Sequence, residues 1–266
     1  MQEPRDYSSH EEFFSYYAEK SARPEFVERF RSLQNAILRF LHARQWDGQC
    51  LDVIDVGCNA GTQCILWAEG GHRVHGVDIN QPLLDIARQR AVAAGYAIDF
   101  RLGSATQLPW PDSSMDICLA IELLEHVKQW QDCLKDFARV LRPGGLLFMT
   151  TTNNLCPAQE EFNLPVYSWY PSWLKRHFER LAVTNRPDLA NYAKYPAVNW
   201  FNPYSLRRDL SRLGFLSFDR FDLVDVSSKS SFMRLIVSVL RGAPPLRLLG
   251  HICTQGSILL AVKEPG

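Results

Sequence analysis

The chain lacks most of the features that would assign it at a glance. Lys plus Arg number 29 and Asp plus Glu number 29 in 266 residues, so the formal charge is zero. That argues against a broad electrostatic surface for nucleic acid and leaves room only for a local patch. No run approaches the roughly 18–20 apolar residues of a membrane span. The first residues, MQEPRDYSSHEEFF, lack the basic start and apolar core of a secretory leader. Seven cysteines (Cys50, Cys58, Cys64, Cys118, Cys133, Cys156, Cys253) are scattered, odd in number and without a C-x-x-C pair. Reduced core thiols in a cytoplasmic protein are therefore expected. With 46% hydrophobic and 22% charged residues the chain is globular, not disordered. Its length is long for one domain and short for two, which suggests one domain carrying an insertion or cap.

Residues 11–46 read as helical: Phe26, Phe30, Leu33, Ile37, Phe40 and Leu41 recur at helical spacing with charges between them. From residue 51 the period changes. Leu51–Val56 is a short apolar run ending at glycine, a buried strand by length and β-branching. A helix over 62–69, a strand over 73–79, a helix from Pro82, a strand over 97–102, a strand over 115–121, a helix over 130–141 and a strand over 146–151 follow. Arg142-Pro143-Gly144-Gly145 is read as the turn that closes the last helix. Strand–helix alternation of this kind predicts an α/β fold, a parallel sheet with helices on both faces. Ligands in such sheets bind at the carboxyl ends of the strands, where strand order reverses.

Residues 153–200 break the rhythm with nine aromatics and five prolines, a candidate cap or lid. Asn202 and Pro203 then start a helix that Gly214 ends. Two closing strands are expected at 218–226 and 257–263, with a second insertion over 227–250. The chain thus divides as a helical segment over 1–50, a core over 51–152, a cap over 153–200 and the rest of the core over 201–266.

Asp55-Val56-Gly57-Cys58-Asn59-Ala60-Gly61-Thr62 joins the first strand to its helix. Small residues let backbone approach a ligand, Asn tolerates positive φ, and helix N–H groups face what binds there. A plain tight turn would look similar. Asp78 ends the second strand, 17 residues after Gly61. An acid there can accept both hydroxyls of a ribose, and it can equally cap the helix that starts at Pro82. Loop and acid together indicate an adenosine-type cofactor, but the three-glycine spacing of a dinucleotide site is missing.

The loop resembles the first motif of the class I S-adenosylmethionine-dependent methyltransferases, Asp-x-Gly-x-Gly-x-Gly, with Asn59 in place of the middle glycine. Gly103-Ser104-Ala105 stands where that family usually has Gly-Asp-Ala; Ser104 cannot accept as a carboxylate does. Leu108-Pro109-Trp110-Pro111-Asp112-Ser113-Ser114-Met115-Asp116, Val140-Leu141-Arg142-Pro143-Gly144-Gly145 and Phe201-Asn202-Pro203-Tyr204-Ser205-Leu206 are similar to later family segments, in the right order. The resemblance implies a Rossmann-like, seven-stranded, mostly parallel sheet with an aromatic-rich cap insertion. It implies S-adenosyl-L-methionine contacts from Asp55, Gly57, Cys58, Asn59, Gly61, Asp78, Ile79, Ser104, Ala105 and Ile121.

Glu122-Leu123-Leu124-Glu125-His126 resembles the Glu-x-x-Glu-His of ubiquinone-pathway O-methyltransferases and of small-RNA 2′-O-methyltransferases. By that resemblance Glu122, Glu125 and His126 are catalytic, and they are candidate ligands for Mg²⁺, which would lower the pKa of a bound hydroxyl. Without metal, His126 could serve as general base; metal-free members of the class carry the same string to orient loops. His177 is a further candidate ligand, though a solvated helix histidine explains it as well. Tyr167, Trp169, Trp173 and Trp200 are the candidate acceptor wall, with packing of the insertion as the plain alternative. Arg29 or Arg31 could reach the cofactor carboxylate, or be ordinary surface arginines. Residues 226–263 contain no acid and include Lys229, Arg234, Arg241, Arg247 and Lys263 around an apolar run. A peripheral membrane contact through 229–249 and a helix packed on the sheet edge are the two readings.

The expected activity is methyl transfer to a small-molecule acceptor, a hydroxyl on an aromatic, lipid-like or glycosylated compound. N- or C-methylation, RNA 2′-O-methylation and cofactor binding without catalysis are the alternatives. Zero net charge and no RNA-binding module count against the RNA reading, so no nucleic-acid partner is expected.

Overall fold

β-branched and apolar residues dominate the segment that follows Leu51, and in the computed structural model they form the fully buried strand β1 (Asp52–Val56). Residues 18–19, 21–46, 50–190, 197–226 and 230–265 are described. The N-terminal helix α1 (Pro24–His42) starts with proline in its first turn, where the missing N–H costs nothing. It buries Ile37 and Leu41. Of the predicted helix over 11–46, residues 11–17 lie outside the described residues.

After β1 come α2 (Thr62–Glu69), β2 (Arg73–Asp78), α3 (Gln81–Ala93), β3 (Asp99–Leu102), β4 (Met115–Ile121), α4 (Trp130–Val140) and β5 (Leu141–Thr152). Then follow α5 (Ser172–Thr184), α6 (Pro203–Arg212), β6 (Phe215–Asp219), α7 (Arg220–Leu223), α8 (Ser231–Gly242), α9 (Pro244–Ile252) and β7 (Gly256–Lys263). The seven strands lie in the order β3-β2-β1-β4-β5-β7-β6. β1 pairs in parallel with β2 on one side and β4 on the other, and β2 pairs in parallel with β3. Strand order reverses between β1 and β4, the position at which such sheets bind ligands beyond the strands' carboxyl ends.

Three boundaries differ from expectation. The helix over 130–141 stops at Val140, and β5 begins at Leu141 and runs through the Pro-Gly-Gly turn, with Gly144 at φ 81°. The strand predicted over 218–226 instead ends at Asp219. Asp219 Oδ1 accepts from the Phe221 N–H (2.9 Å) and Asp222 Oδ2 from the Asp219 N–H (3.0 Å), a capping box that turns the chain into α7. The 227–250 insertion is mostly the helices α8 and α9. Asn202 caps α6 as expected, accepting from the Tyr204 N–H at 2.9 Å.

The chain divides into two compact units. The first comprises 1–121, 131–148 and 263–266; the second comprises 122–130 and 149–262. This is not the division read from composition, because 122–130 and the stretch from α6 through most of β7 group with the aromatic-rich segment. Cys58, Cys64, Cys118, Cys133 and Cys156 are buried, Cys50 and Cys253 are exposed, and all seven are free thiols.

Candidate functional site

In the first unit the loop after β1 is held open by backbone conformation. Gly57, Asn59 and Gly61 all have positive φ (76°, 47° and 76°). The Gly57 and Cys58 N–H groups donate to Val77 O at 2.8 and 3.1 Å, which ties the loop to β2. Asn59 Nδ2 donates to Gly57 O at 3.0 Å, so the residue that replaces the middle glycine stabilises its own left-handed turn. Gly61 begins α2 without a side-chain cap. Among the described residues no side chain caps the first turn of α2, a helix end suited to an anionic or polar ligand group. A Cβ on Gly61 would stand 2.9 Å from the Ala87 Cβ, so glycine also sets how closely α2 and α3 approach.

Asp78 is buried (8% exposed), yet both of its oxygens are engaged. Oδ2 accepts from the Asn59 N–H and Oδ1 from the Asn80 N–H, each at 2.9 Å. Each carboxylate oxygen retains a lone pair for a further donor. Burial raises the Asp78 pKa and the backbone donors pull it back. The helix cap is not Asp78 but Asn80, whose Oδ1 accepts from the Leu83 N–H. Ile79 is 70% exposed and Leu102, paired with Asp78 across β2–β3, is 54% exposed. Two bare apolar side chains flanking an acid suit the faces of a purine above a ribose diol. Leu102 was not legible as a site residue, because an apolar residue in a strand reads as core.

Asp55 does not line the cradle. It is buried, accepts from the Cys64 Sγ–H at 3.6 Å, and burial pushes its pKa up to about 7, so it supports the loop from beneath. Cys58 is likewise buried and Ala105 nearly so, while Ser104 is exposed and bonded to Thr106 Oγ1 at 2.8 Å. Ile121, at the end of β4, is partly exposed. Arg31 pairs with Glu69 at 3.1 Å on the surface, the ordinary reading. The arginine that does reach the loop is Arg90, which donates to Ala18 O (2.6 Å), Ser21 Oγ (3.0 Å) and Ala60 O (3.4 Å).

In the second unit Glu122, Glu125 and His126 part company. Glu122 is exposed, with φ 51°, and its N–H donates to Thr150 O at 2.9 Å. His126 is exposed. Glu125 is buried; its Oε2 accepts from Thr151 Oγ1 at 2.9 Å, and burial pushes its pKa up to about 8. Among the described residues no group of three or more His, Cys, Asp or Glu is placed to hold a metal ion. The candidate Mg²⁺ ligands Glu122, Glu125 and His126 are thus not gathered into one cluster: Glu125 is buried against Thr151, whereas Glu122 and His126 are exposed. The turn is fixed instead by Asn199, unremarked in the sequence, whose Nδ2 donates to Leu124 O (2.8 Å) and Val127 O (2.7 Å). The Val198 and Asn199 N–H groups donate to Glu125 O.

The same unit holds a cleft of about 1340 Å³ whose wall includes Trp169, Trp173 and Trp200. Trp169 and Trp173 are 57% and 65% exposed. Tyr167 is corrected: it is fully buried, stacks on Phe162 at 4.1 Å, and belongs to the small core formed with Ala182, Leu189 and Ala190. His177 is exposed against Phe178. Lys175, not singled out in the sequence, lines the cleft. In α8 and α9, Phe232, Leu235 and Leu249 are exposed, but two of the basic residues are engaged with the protein itself. Arg241 donates to Phe221 O and Val224 O, and Arg247 pairs with Asp219. Residue 229 lies outside the described residues. No helix is long and apolar enough to cross a membrane among the described residues.

A family model described as a methyltransferase domain matches residues 54–149. The ubiquinone biosynthesis O-methyltransferase of Chelativorans sp. (strain BNC1) is 31% identical over 148 residues, 55% of this chain and 56% of that protein. The chain thus spans about half the length of the first curated relatives it matches. The demethylmenaquinone methyltransferase of Tropheryma whipplei (strain Twist) is 30% identical over 190 residues, 68% of this chain and 77% of that protein. The PH0226 protein from Pyrococcus horikoshii OT3 shares the fold, with a TM-score of 0.58 at 16% identity over 94% of this chain and 99% of that one.

Proposed function

The chain belongs to the class I S-adenosylmethionine-dependent methyltransferases, and we propose that it methylates a hydroxyl on a small, ring-bearing acceptor. The observation that carries this reading is the nucleoside cradle of the first unit, where two main-chain N–H groups orient the buried Asp78 carboxylate; the second unit, taken by itself, holds a tryptophan-lined cleft. S-adenosylmethionine fits the cradle's donor set and supplies an electrophilic methyl carbon on a sulfonium. Asp78 would accept the ribose hydroxyls, Ile79 and Leu102 would flank the base, and the open first turn of α2 would take a polar end of the ligand.

The chain's remaining task is one proton, since the acceptor hydroxyl must lose it as its oxygen takes the methyl. His126 is the residue we assign to receive it, as an exposed imidazole on the turn after β4. Glu125, hydrogen-bonded to Thr151 and tied through its carbonyl to Val198 and Asn199, positions that turn rather than reacting. The assignment of oxygen follows the names of the ubiquinone-pathway relatives. Carbon methylation is the second reading, favoured by the match to 77% of a demethylmenaquinone methyltransferase.

The test is methyl-labelled cofactor offered with a panel of hydroxylated aromatic compounds. Label on oxygen supports the proposal, and label on a ring carbon moves the assignment to the second reading. A chain that fails to bind S-adenosylhomocysteine by calorimetry sinks both. His126→Ala should lower kcat by about a hundredfold or more while leaving cofactor affinity unchanged.

A further inference from the structure

The cleft in the second unit carries more charge than an aromatic wall needs. Lys128, Lys175, Arg176 and Arg180 line it, against the acids Glu179 and Asp209. Lys175 sits deepest in this set. Its ammonium lies 4.7 Å from the centre of the Trp200 ring and donates to Ser168 O at 2.7 Å. An ammonium has three N–H donors, so two are left over. Glu179 stands one helical turn along α5, but no ion pair joins it to Lys175 among the described residues. Trp200 offers its ring face to this ammonium, while its indole N–H is buried away from the cleft and has no acceptor among the described residues. Two leftover ammonium donors, beside two largely exposed tryptophans in a wall that also carries Arg176, describe a place for a ring that carries an anion.

We propose that the cleft selects a ring-bearing acid, with the ring against Trp169 and Trp173 and its carboxylate or phosphate held by Lys175 and Arg176. This deepens the small-molecule reading above and rests on it for the identity of the bound compound as methyl acceptor. Burial also pushes the Lys175 ammonium down to about 8, with Glu179 one turn along α5 opposing that shift. Arg176 is exposed and fork-shaped, suited to either anion.

Calorimetry on the whole chain tests this with three probes: phenylacetate, its neutral isostere phenylacetamide, and phenyl phosphate. The proposal expects at least one anion to bind about tenfold or more tightly than the amide, and the two anions compared with each other identify which headgroup the site takes. Lys175→Met should erase most of that preference while sparing amide affinity, and Lys175→Arg should restore part of it. Should Lys175→Met fail to fold, Arg176→Met, a change at an exposed position, is expected to cut the preference severalfold on its own. Equal affinity for anions and amide in the unaltered chain overturns the proposal, as does a preference unchanged in Lys175→Met and Arg176→Met. S-adenosylhomocysteine binding measured on the same sample separates the two readings. Cofactor bound without anion preference ends this proposal alone, and anion preference without cofactor binding ends the methyl-transfer reading alone.

Discussion

The candidate sites of the two units are built by different physical means. In the first, the cradle is made of backbone: three positive-φ residues, the open end of α2, and an acid whose oxygens are oriented by main-chain amides. In the second, the cleft is made of side chains, tryptophans and cations projecting from α5 and the segment that precedes α6. Backbone geometry restricts which residue can stand at a position, so it leaves a motif. A side-chain wall can be built in many ways and leaves only a composition. One arrangement is suited to a cofactor that never changes, the other to an acceptor that differs between relatives.

The sharpest way to break the contrast is Tyr167→Ala. Tyr167 is fully buried in the small core beside the cleft, so truncation should cost about 3–5 kcal/mol in denaturant unfolding. S-adenosylhomocysteine affinity of the folded protein should not change; if it falls, the cradle is not self-sufficient. Next in size is Gly61→Val, which puts a β-branched residue at φ 76° and its Cβ against Ala87. About 2–4 kcal/mol of stability should be lost, together with cofactor binding, measured by melting and calorimetry. Asp78→Asn keeps one acceptor oxygen and loses the charge. Cofactor affinity should weaken about ten- to hundredfold while cleft ligands bind as before.

These differences explain what could be read in advance. The cradle was legible because Gly57, Asn59 and Gly61 are each demanded by a φ that few residues adopt. Nine aromatics between 153 and 200 suggest a cap or lid in sequence, but composition does not separate a core ring from a wall ring. Tyr167 and Trp169 are two residues apart, and one is buried while the other is 57% exposed. Lys175 and Asn199 were missed because their partners, Trp200 and the carbonyls of Leu124 and Val127, are distant in the chain. The end of β6 was overrun because Phe218–Val226 keeps strand-like residues, while the Asp219–Asp222 capping box acts through side chains and wins locally. The Glu-Leu-Leu-Glu-His string reads in sequence as a set of candidate metal ligands, and only burial shows that Glu125 faces Thr151.

Each unit also pairs an acid that burial keeps near neutral with one that ion pairs keep charged, and the two kinds pull stability in opposite directions with pH. Asp219, bonded to His251 and Arg247, is held down at about 2, as is Asp52 beside Arg73 and Arg142. Their folded pKa values are depressed, so their contribution is present above the ordinary carboxylate range and is lost as pH falls toward about 2. Asp55 and Glu125 are raised to about 7 and about 8. In the folded state they keep protons that the unfolded chain gives up, so stability declines as pH rises from the ordinary carboxylate range through those values. Glu125→Gln should flatten that alkaline decline in urea midpoints and leave the acid limb alone. Asp55→Asn should flatten the part up to about pH 7, which apportions the slope between the units.

The smallest effect sharpens the comparison from the other side. Arg31 was one of two arginines that could have served the cofactor carboxylate, and its guanidinium instead meets Glu69 at 3.1 Å with both side chains well exposed. Exposed pairs of this kind contribute little, because water solvates both charges and ordering two long side chains has an entropic cost. Arg31→Ala should therefore shift stability by no more than about 0.5 kcal/mol and cofactor affinity by less than about twofold. Arg90→Met is the contrasting change in the same unit. It removes donors to Ala18, Ser21 and Ala60, and so should loosen the loop and weaken cofactor binding severalfold. If the two variants behaved alike in calorimetry, main-chain anchoring of the loop would not be what holds the cradle in shape.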